Sequence, residues 1–288
     1  QIYGGQRRME NAYIFGSFRF AGFHLCNKLL EKGWEVVGID LSNDETDSIA
    51  EEKKLEIGRN ANFCEMDLKD LHSNDPFEQQ TAVIISFYDL FMENQDSLFN
   101  GHTLHEILLK MLRSDNGKGG RPVFLLPIQL LVESEQNEIF TKIRSLMEEC
   151  DISSENAQLF YLPSMFGEWQ PSSYLVQETF QKNHHPHKNN EREWMKDLIY
   201  VDDAISRIVD VIECGNSGSF FMDSGKTNYW EECLELLGID GNAFLPEERK
   251  VIIDSQNAIR ISITNHTPLD VALAKQKEHN ELISKGRI

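Results

Sequence analysis

The stretch Ala12–Asp40, AYIFGSFRFAGFHLCNKLLEKGWEVVGID, decides the fold. Tyr13-Ile14-Phe15 is an apolar run of strand length that gives way to a turn at Gly16. Beyond the turn, Leu25, Cys26, Leu29 and Leu30 recur at helical spacing and stop at Lys32-Gly33, a helix-ending pair. Trp34–Ile39 then reads as a second strand whose tip carries Asp40, 18 residues after Gly22. Strand, glycine turn, helix, strand and acid in this order make the opening βαβ half-unit of a dinucleotide-binding fold. In that unit Gly16, Ser17, Phe18, Arg19, Phe20 and Gly22 would line the pyrophosphate. Asp40 would accept from a ribose 2′-hydroxyl, which favours NAD; read otherwise, it is an exposed acid at a strand end. Arg19 stands where the fingerprint has its middle glycine. Its guanidinium could hold the pyrophosphate, or its side chain could close the backbone's approach to phosphate.

Outward from this unit, Leu41–Asn60 is polar and acidic, and predicts a short surface helix whose charges solvate a face. Asn62–Glu65 reads as a third strand, followed by Met66-Asp67-Leu68. Thr81–Ser86 is a continuous apolar run, as in a central strand covered on both faces of a parallel sheet. Leu98–Leu112 places Leu104, Ile107, Leu108, Met111 and Leu112 at helical spacing. The segment Gly117-Lys118-Gly119-Gly120 is not a phosphate-binding P-loop, because it precedes the strand Val123–Leu126 instead of following one. Glu135–Met147 predicts a helix on Ile139, Ile143, Leu146 and Met147, and Leu159–Leu162 a further buried strand. Such alternation predicts an α/β fold, a Rossmann-type doubly wound parallel sheet.

Beyond Pro163 proline and polar residues increase, which predicts a smaller C-terminal α/β lobe beside the sheet's carboxyl edge, where substrates bind. Asp202 would cap a helix over Asp203–Glu213, with Ile205, Ile208, Val209 and Ile212 on one face. Residues 220–222, 251–253 and 259–263 read as strands, the last two paired across Gln256-Asn257, and Leu269–Ile283 as a polar helix. The expected division is a dinucleotide-binding domain over 9–165 and the lobe over 166–288, with segments returning to the first domain. QIYGGQRR before Met9 lacks the apolar region of a signal peptide and reads as residues ahead of a native start.

The chain carries a formal charge of −19 and a pI near 4.9, which opposes nucleic acid or an anionic membrane as partner. Five cysteines are scattered singly, so neither a disulfide framework nor a zinc knuckle is expected, and a cytoplasmic setting fits. No apolar run approaches the roughly 20 residues that span a bilayer. His184, His185 and His187 lie in a polar loop without fixed ligand geometry, and no metal is expected. Cys26 and Cys150 fall on apolar stripes, as small hydrophobes.

With these segments placed, the sequence resembles the extended short-chain dehydrogenase/reductase family, the NAD-dependent nucleotide-sugar epimerases and dehydratases. The resemblance rests on Gly16 and Gly22-Phe23-His24-Leu25, Val36-Val37-Gly38-Ile39-Asp40, Met66-Asp67-Leu68-Lys69-Asp70, Leu162–Gly167 and Ile199-Tyr200-Val201-Asp202-Asp203-Ala204. It implies NAD as cofactor, with Asp67 and Leu68 on its adenine side, and a nucleotide or nucleotide-sugar ligand. It also implies a tyrosine, activated by a lysine four residues on, that exchanges a proton while nicotinamide takes hydride, with a nearby Ser or Thr holding the reacting hydroxyl. None of the seven tyrosines has lysine four positions later. Aligned to the family, the lysine falls at Lys142 and the tyrosine at Glu138. A glutamate of ordinary pKa about 4.3 is ionised and cannot serve as the neutral acid unless burial raises it. Glu133, Glu135 and Glu138 also suit a solvated first helical turn. Leu126-Pro127 stands in place of the hydroxyl residues, and Tyr161 and Ser164 in place of an arginine and an asparagine.

The expectation is therefore a family member that keeps the nucleotide-binding scaffold without tyrosine-dependent redox catalysis, and binds a ligand or regulates through a partner. The competing expectation is a working epimerase, dehydratase or reductase with a substitute acid, at Glu138 or in the lobe. A third is a structural or regulatory module with an empty pocket. Pairing through the helices predicted at 98–112 and 135–147 would give the family's homodimer.

Overall fold

A computed structural model describes residues 10–41, 48–71, 81–100, 102–112, 120–132, 137–181, 192–240 and 258–286. Strand β1 (Asn11–Phe15) leads through the turn into α1 (Phe20–Glu31) and β2 (Glu35–Ile39). Phe15 pairs in parallel register with Ile39 of β2 on one side and Ile85 of β4 (Thr81–Ser86) on the other. All six residues of β4 are buried, as the unbroken apolar run requires. Outside β2 lies β3 (Phe63–Met66); beyond β4 come β5 (Arg121–Pro127) and β6 (Gln158–Leu162). The sheet continues with β9 (Gly218–Asp223) and β10 (Ile259–Ser262). Its order is β3-β2-β1-β4-β5-β6-β9-β10, and every pairing is parallel. The order reverses between β1 and β4, the switch point at which open α/β sheets leave a crevice at the carboxyl ends of the strands.

Several elements differ from the sequence expectation for local reasons. The helix expected over 98–112 is two, α4 (Asp96–Phe99) and α5 (His102–Leu112), because the pattern breaks at Asn100-Gly101. Helix α6 (Glu138–Glu149) starts later than Glu135, since the Asn137 side chain caps it by accepting from Ile139 N at 2.8 Å. Asp202 does not cap its helix. That helix, α8 (Val201–Cys214), is entered from Tyr200, and Asp202 lies in its first turn with its carboxylate turned to His24. The segment 251–253 lies outside the described residues, and β10 pairs in parallel with β9. In α2 (Ser48–Ile57) the charges do not all solvate a face. Lys53 is buried, donates to the Phe18 carbonyl at 2.9 Å and sits over the Phe23 and Trp169 rings at 5.6 and 5.9 Å.

Three elements crowd the sheet's carboxyl edge. Helix α3 (Phe87–Met92) begins directly at the end of β4, and all six of its residues are buried. A two-stranded parallel sheet joins β7 (Ser164–Phe166) to β8 (Leu198–Tyr200), and α7 (Leu175–Gln181) lies between them in the chain. Helices α9 (Tyr229–Leu237) and α10 (Leu269–Ser284) complete the fold, α10 packing against α7. No helix among the described residues is long and apolar enough to cross a membrane.

Candidate functional site

The glycine turn is tightly wound. Gly16 holds φ +86° and donates to the Ile39 carbonyl at 2.8 Å, tying the turn to β2. A Cβ on Gly22 would stand 2.2 Å from the Gly16 carbonyl oxygen, so only glycine allows α1 to start this close to β1. Around them Ser17, Phe18 and Phe20 are buried; Phe18 meets Phe63 edge-on at 6.2 Å, and Phe20 meets Tyr174 at 5.9 Å.

At the head of α1 the backbone N–H groups of Ala21 and Gly22 donate to the two carboxylate oxygens of Asp89, each at 2.9 Å. The first N–H groups of a helix have no partner within it, and its dipole favours an anion there, which is how the fold holds a pyrophosphate. Here that anion belongs to the chain. Asp89 is fully buried on α3, whose start is capped by the Ser86 hydroxyl. Burial pushes its carboxyl up, against the amides, Ser86 and Arg19, which pull it down. Arg19 is spent on the same helix end: its Nη1 donates to Glu93 at 2.6 Å, with 8% of the side chain exposed. A pyrophosphate needs the N–H groups that Asp89 occupies, so in this arrangement of α3 the residues do not fit NAD.

Further polar groups gather beside Asp89. Burial raises Glu93, opposed by Arg19. Glu193 is buried and pushed up to about 8, although one of its oxygens accepts from Leu175 N at 3.0 Å. It is therefore a neutral carboxylic acid at pH 7. Tyr88 and Tyr174 are raised by burial, and the Tyr88 hydroxyl accepts from Met165 N at 3.1 Å. Arg19 Nε, Glu93 Oε1, Tyr174 OH and Glu193 Oε1 are buried with no hydrogen-bond partner among the described residues.

A second polar cluster lies on the outer side of α1. His24 faces the Asp202 carboxylate through Nδ1 at 3.0 Å and the Glu168 carbonyl through Nε2 at 2.8 Å. The Tyr200 hydroxyl lies 2.8 Å from Glu168 Oε2 and 3.0 Å from Asp202 Oδ2. Burial opposes ionisation of Asp202, yet His24 and Tyr200 hold its carboxyl below the usual range. The cluster borders an open pocket of about 350 Å³ between α1, α8 and α10, with Trp169 and His279 in its wall. Burial lowers His279 to about 4.

The other expected site residues sit on or beside other elements than α3. Asp40 follows the last residue of β2, half-buried. Asp67 accepts from Lys69 N at 2.9 Å and so caps the 3-10 turn Leu68–Asp70, in which Leu68 is partly buried. Lys142 and Glu138 pair with each other at 2.6 Å on α6, the Glu138 side chain 80% exposed. His184, His185, His187, Glu133 and Glu135 lie outside the described residues. Among those described, no three His, Cys, Asp or Glu side chains converge to hold a metal. Sequence reasoning missed Asp89, Glu93, Glu193 and the His24–Asp202 pair. For Asp89 a signal existed: an acid inside the apolar run Phe87–Met92, directly after a fully apolar strand, must find buried partners.

Residues 12–96 match the NAD dependent epimerase/dehydratase family. No curated protein is detectably similar in sequence. The fold is that of solved structures which it matches over nearly their whole length. The Bordetella bronchiseptica enzyme WbmH in complex with NAD+ superposes with a TM-score of 0.61 at 17% identity, covering 95% of this chain and 98% of that one. UDP-glucose 4-epimerase from Thermotoga maritima, with UDP-glucose, gives 0.59 at 16% over 95% and 99%. MoeE5, in complex with UDP-glucuronic acid and NAD, gives 0.59 at 13% over 94% and 99%.

Proposed function

From the match of residues 12–96 to the NAD dependent epimerase/dehydratase family, and from a fold shared over the whole chain with solved structures such as WbmH, we propose a homologue that binds ligand without tyrosine-dependent hydride chemistry. NAD is the dinucleotide of that family, and a nucleotide or nucleotide sugar is the ligand class in which similar proteins are seen. One observation carries the reading. Where the family's tyrosine and lysine align stand Glu138 and Lys142, paired with each other at 2.6 Å on α6 with the Glu138 side chain exposed, so no phenol is in place there. Leu126 and Pro127, both buried at the end of β5, add no hydroxyl.

The protein then acts as a binding or regulatory module. Incubation with a panel of UDP- and dTDP-sugars, followed by product chromatography and absorbance of reduced nicotinamide, is expected to show saturable binding of at least one nucleotide sugar and no conversion. Conversion of any of them would end this reading. A second reading has an observation of its own: Glu193, buried and neutral at pH 7, has the protonation state that a substitute acid in the lobe requires. Under it, conversion occurs and Glu193→Gln abolishes it while binding persists. The helices α5 and α6, bridged by His105 and Glu149 at 3.9 Å, would form a homodimer face. Sedimentation as a monomer at micromolar concentration would dismiss that face.

A further inference from the structure

We propose that Asp89 is an internal substitute for the dinucleotide's pyrophosphate, so that NAD and the present arrangement of α3 exclude one another. The inference rests on the dinucleotide fold and not on the loss of redox chemistry.

Asp89 meets the stereochemical demand of the seat. Its two oxygens take the Ala21 and Gly22 N–H groups at equal distance, as two phosphate oxygens would. Arg19, the one residue of the turn able to reach a phosphate with a charge, is held by Glu93 just beyond α3. An entering pyrophosphate would have to displace one carboxylate from α1 and another from Arg19, and would meet both as like charges.

Asp89 is also fixed from elsewhere. Ser86 caps α3, and Tyr88 accepts from Met165 N in β7. At the other end of α3, Arg192 donates to the Phe91 carbonyl at 2.7 Å, pairs with both oxygens of Asp96 at 2.6 Å and lies over the Phe91 ring. The seat is thus filled by a segment that three other parts of the chain hold in place. This assigns the buried acid of the Phe87–Met92 run a role, and it accounts for an arginine in the position of the second glycine.

The probe is ADP-ribose, which carries the pyrophosphate without redox chemistry. By calorimetry, wild-type protein is expected to show no saturation at millimolar ADP-ribose. Asp89→Ala should tighten binding by about tenfold or more. Asp89→Asn, which keeps the shape and removes the charge, should give a smaller gain and serves if the alanine variant does not fold. Hydrogen exchange supplies a test on wild-type protein alone: the Ala21 and Gly22 amides should be protected, and millimolar ADP-ribose should leave that protection unchanged. Micromolar binding to the wild type, unchanged or weakened by a folded Asp89 variant, would overturn the proposal, as would the absence of any gain in both variants. Conversion of a nucleotide sugar without added NAD bears on the proposed function alone, whereas conversion by the wild type that requires NAD would overturn this proposal as well.

Discussion

Glu193 is a carboxyl that the fold keeps protonated. Its folded pKa of about 8 lies above the ordinary glutamate value, so between roughly pH 4.5 and 8 the folded state binds more protons than the unfolded one. Stability must then fall as pH rises through that window, by up to about 1.4 kcal/mol per pH unit from this group, and level off above it. Chemical denaturation at pH 5, 6, 7 and 8 should show the fall, and Glu193→Gln should flatten it. Asp89 and Glu93, both raised by burial, slope the same way, so the flattening is partial. An invariant slope in the variant would remove Glu193 as its source. Tyr174 makes a separate prediction. Its hydroxyl is buried without a partner among the described residues, so Tyr174→Phe should leave stability unchanged or raise it by as much as about 1 kcal/mol. A clear loss would mean that the hydroxyl is bonded. Neither residue stands out in the sequence, because a glutamate in a polar segment and a tyrosine beside serines carry no periodic signal.

At the scale of elements, α1 is held at both ends of its sequence motif. Gly22→Ala would press a methyl against the Gly16 carbonyl at 2.2 Å, and the shift this forces should cost about 1–3 kcal/mol or more in urea denaturation. The outer face of α1 packs along α8; His24 meets Asp202 near its start, and Lys32 at its end pairs with Asp210 and Glu213 at 3.3 and 2.8 Å. Asp202→Ala leaves a His24 nitrogen facing no acceptor, and should cost on the order of 1 kcal/mol, the carboxylate being half exposed. Because its folded pKa is lowered, the Asp202 contribution is present above the ordinary aspartate range and is lost as pH falls below it, opposite in sign to Glu193. Four helices were legible to within a few residues: α1 from its apolar stripe, α6 from Ile139, Ile143 and Leu146, α8 from Ile205, Ile208, Val209 and Ile212, and α10 over Leu269–Ile283. Helix α3 was not. Its six residues are buried on every side, so it has no polar face to mark a helical period.

Over the whole molecule, a charge of −19 repels itself in the compact state. Added salt should therefore raise the thermal midpoint, by about a few degrees between low ionic strength and roughly 0.5 M sodium chloride, as exposed charges are screened. A fall would show that specific ion pairs outweigh the repulsion. The sequence by itself determined that strands and helices alternate, that Thr81–Ser86 runs through the sheet's centre, that a glycine turn opens α1, and that no tyrosine precedes lysine by four residues. All of these are properties of spacing, and spacing is local. Only the tertiary structure decided what the turn holds. Asp89 reaches α1 across 68 residues and Glu93 reaches Arg19 across 74. A buried anion shows its partner only when the folded chain has removed water and left one set of N–H groups to receive it.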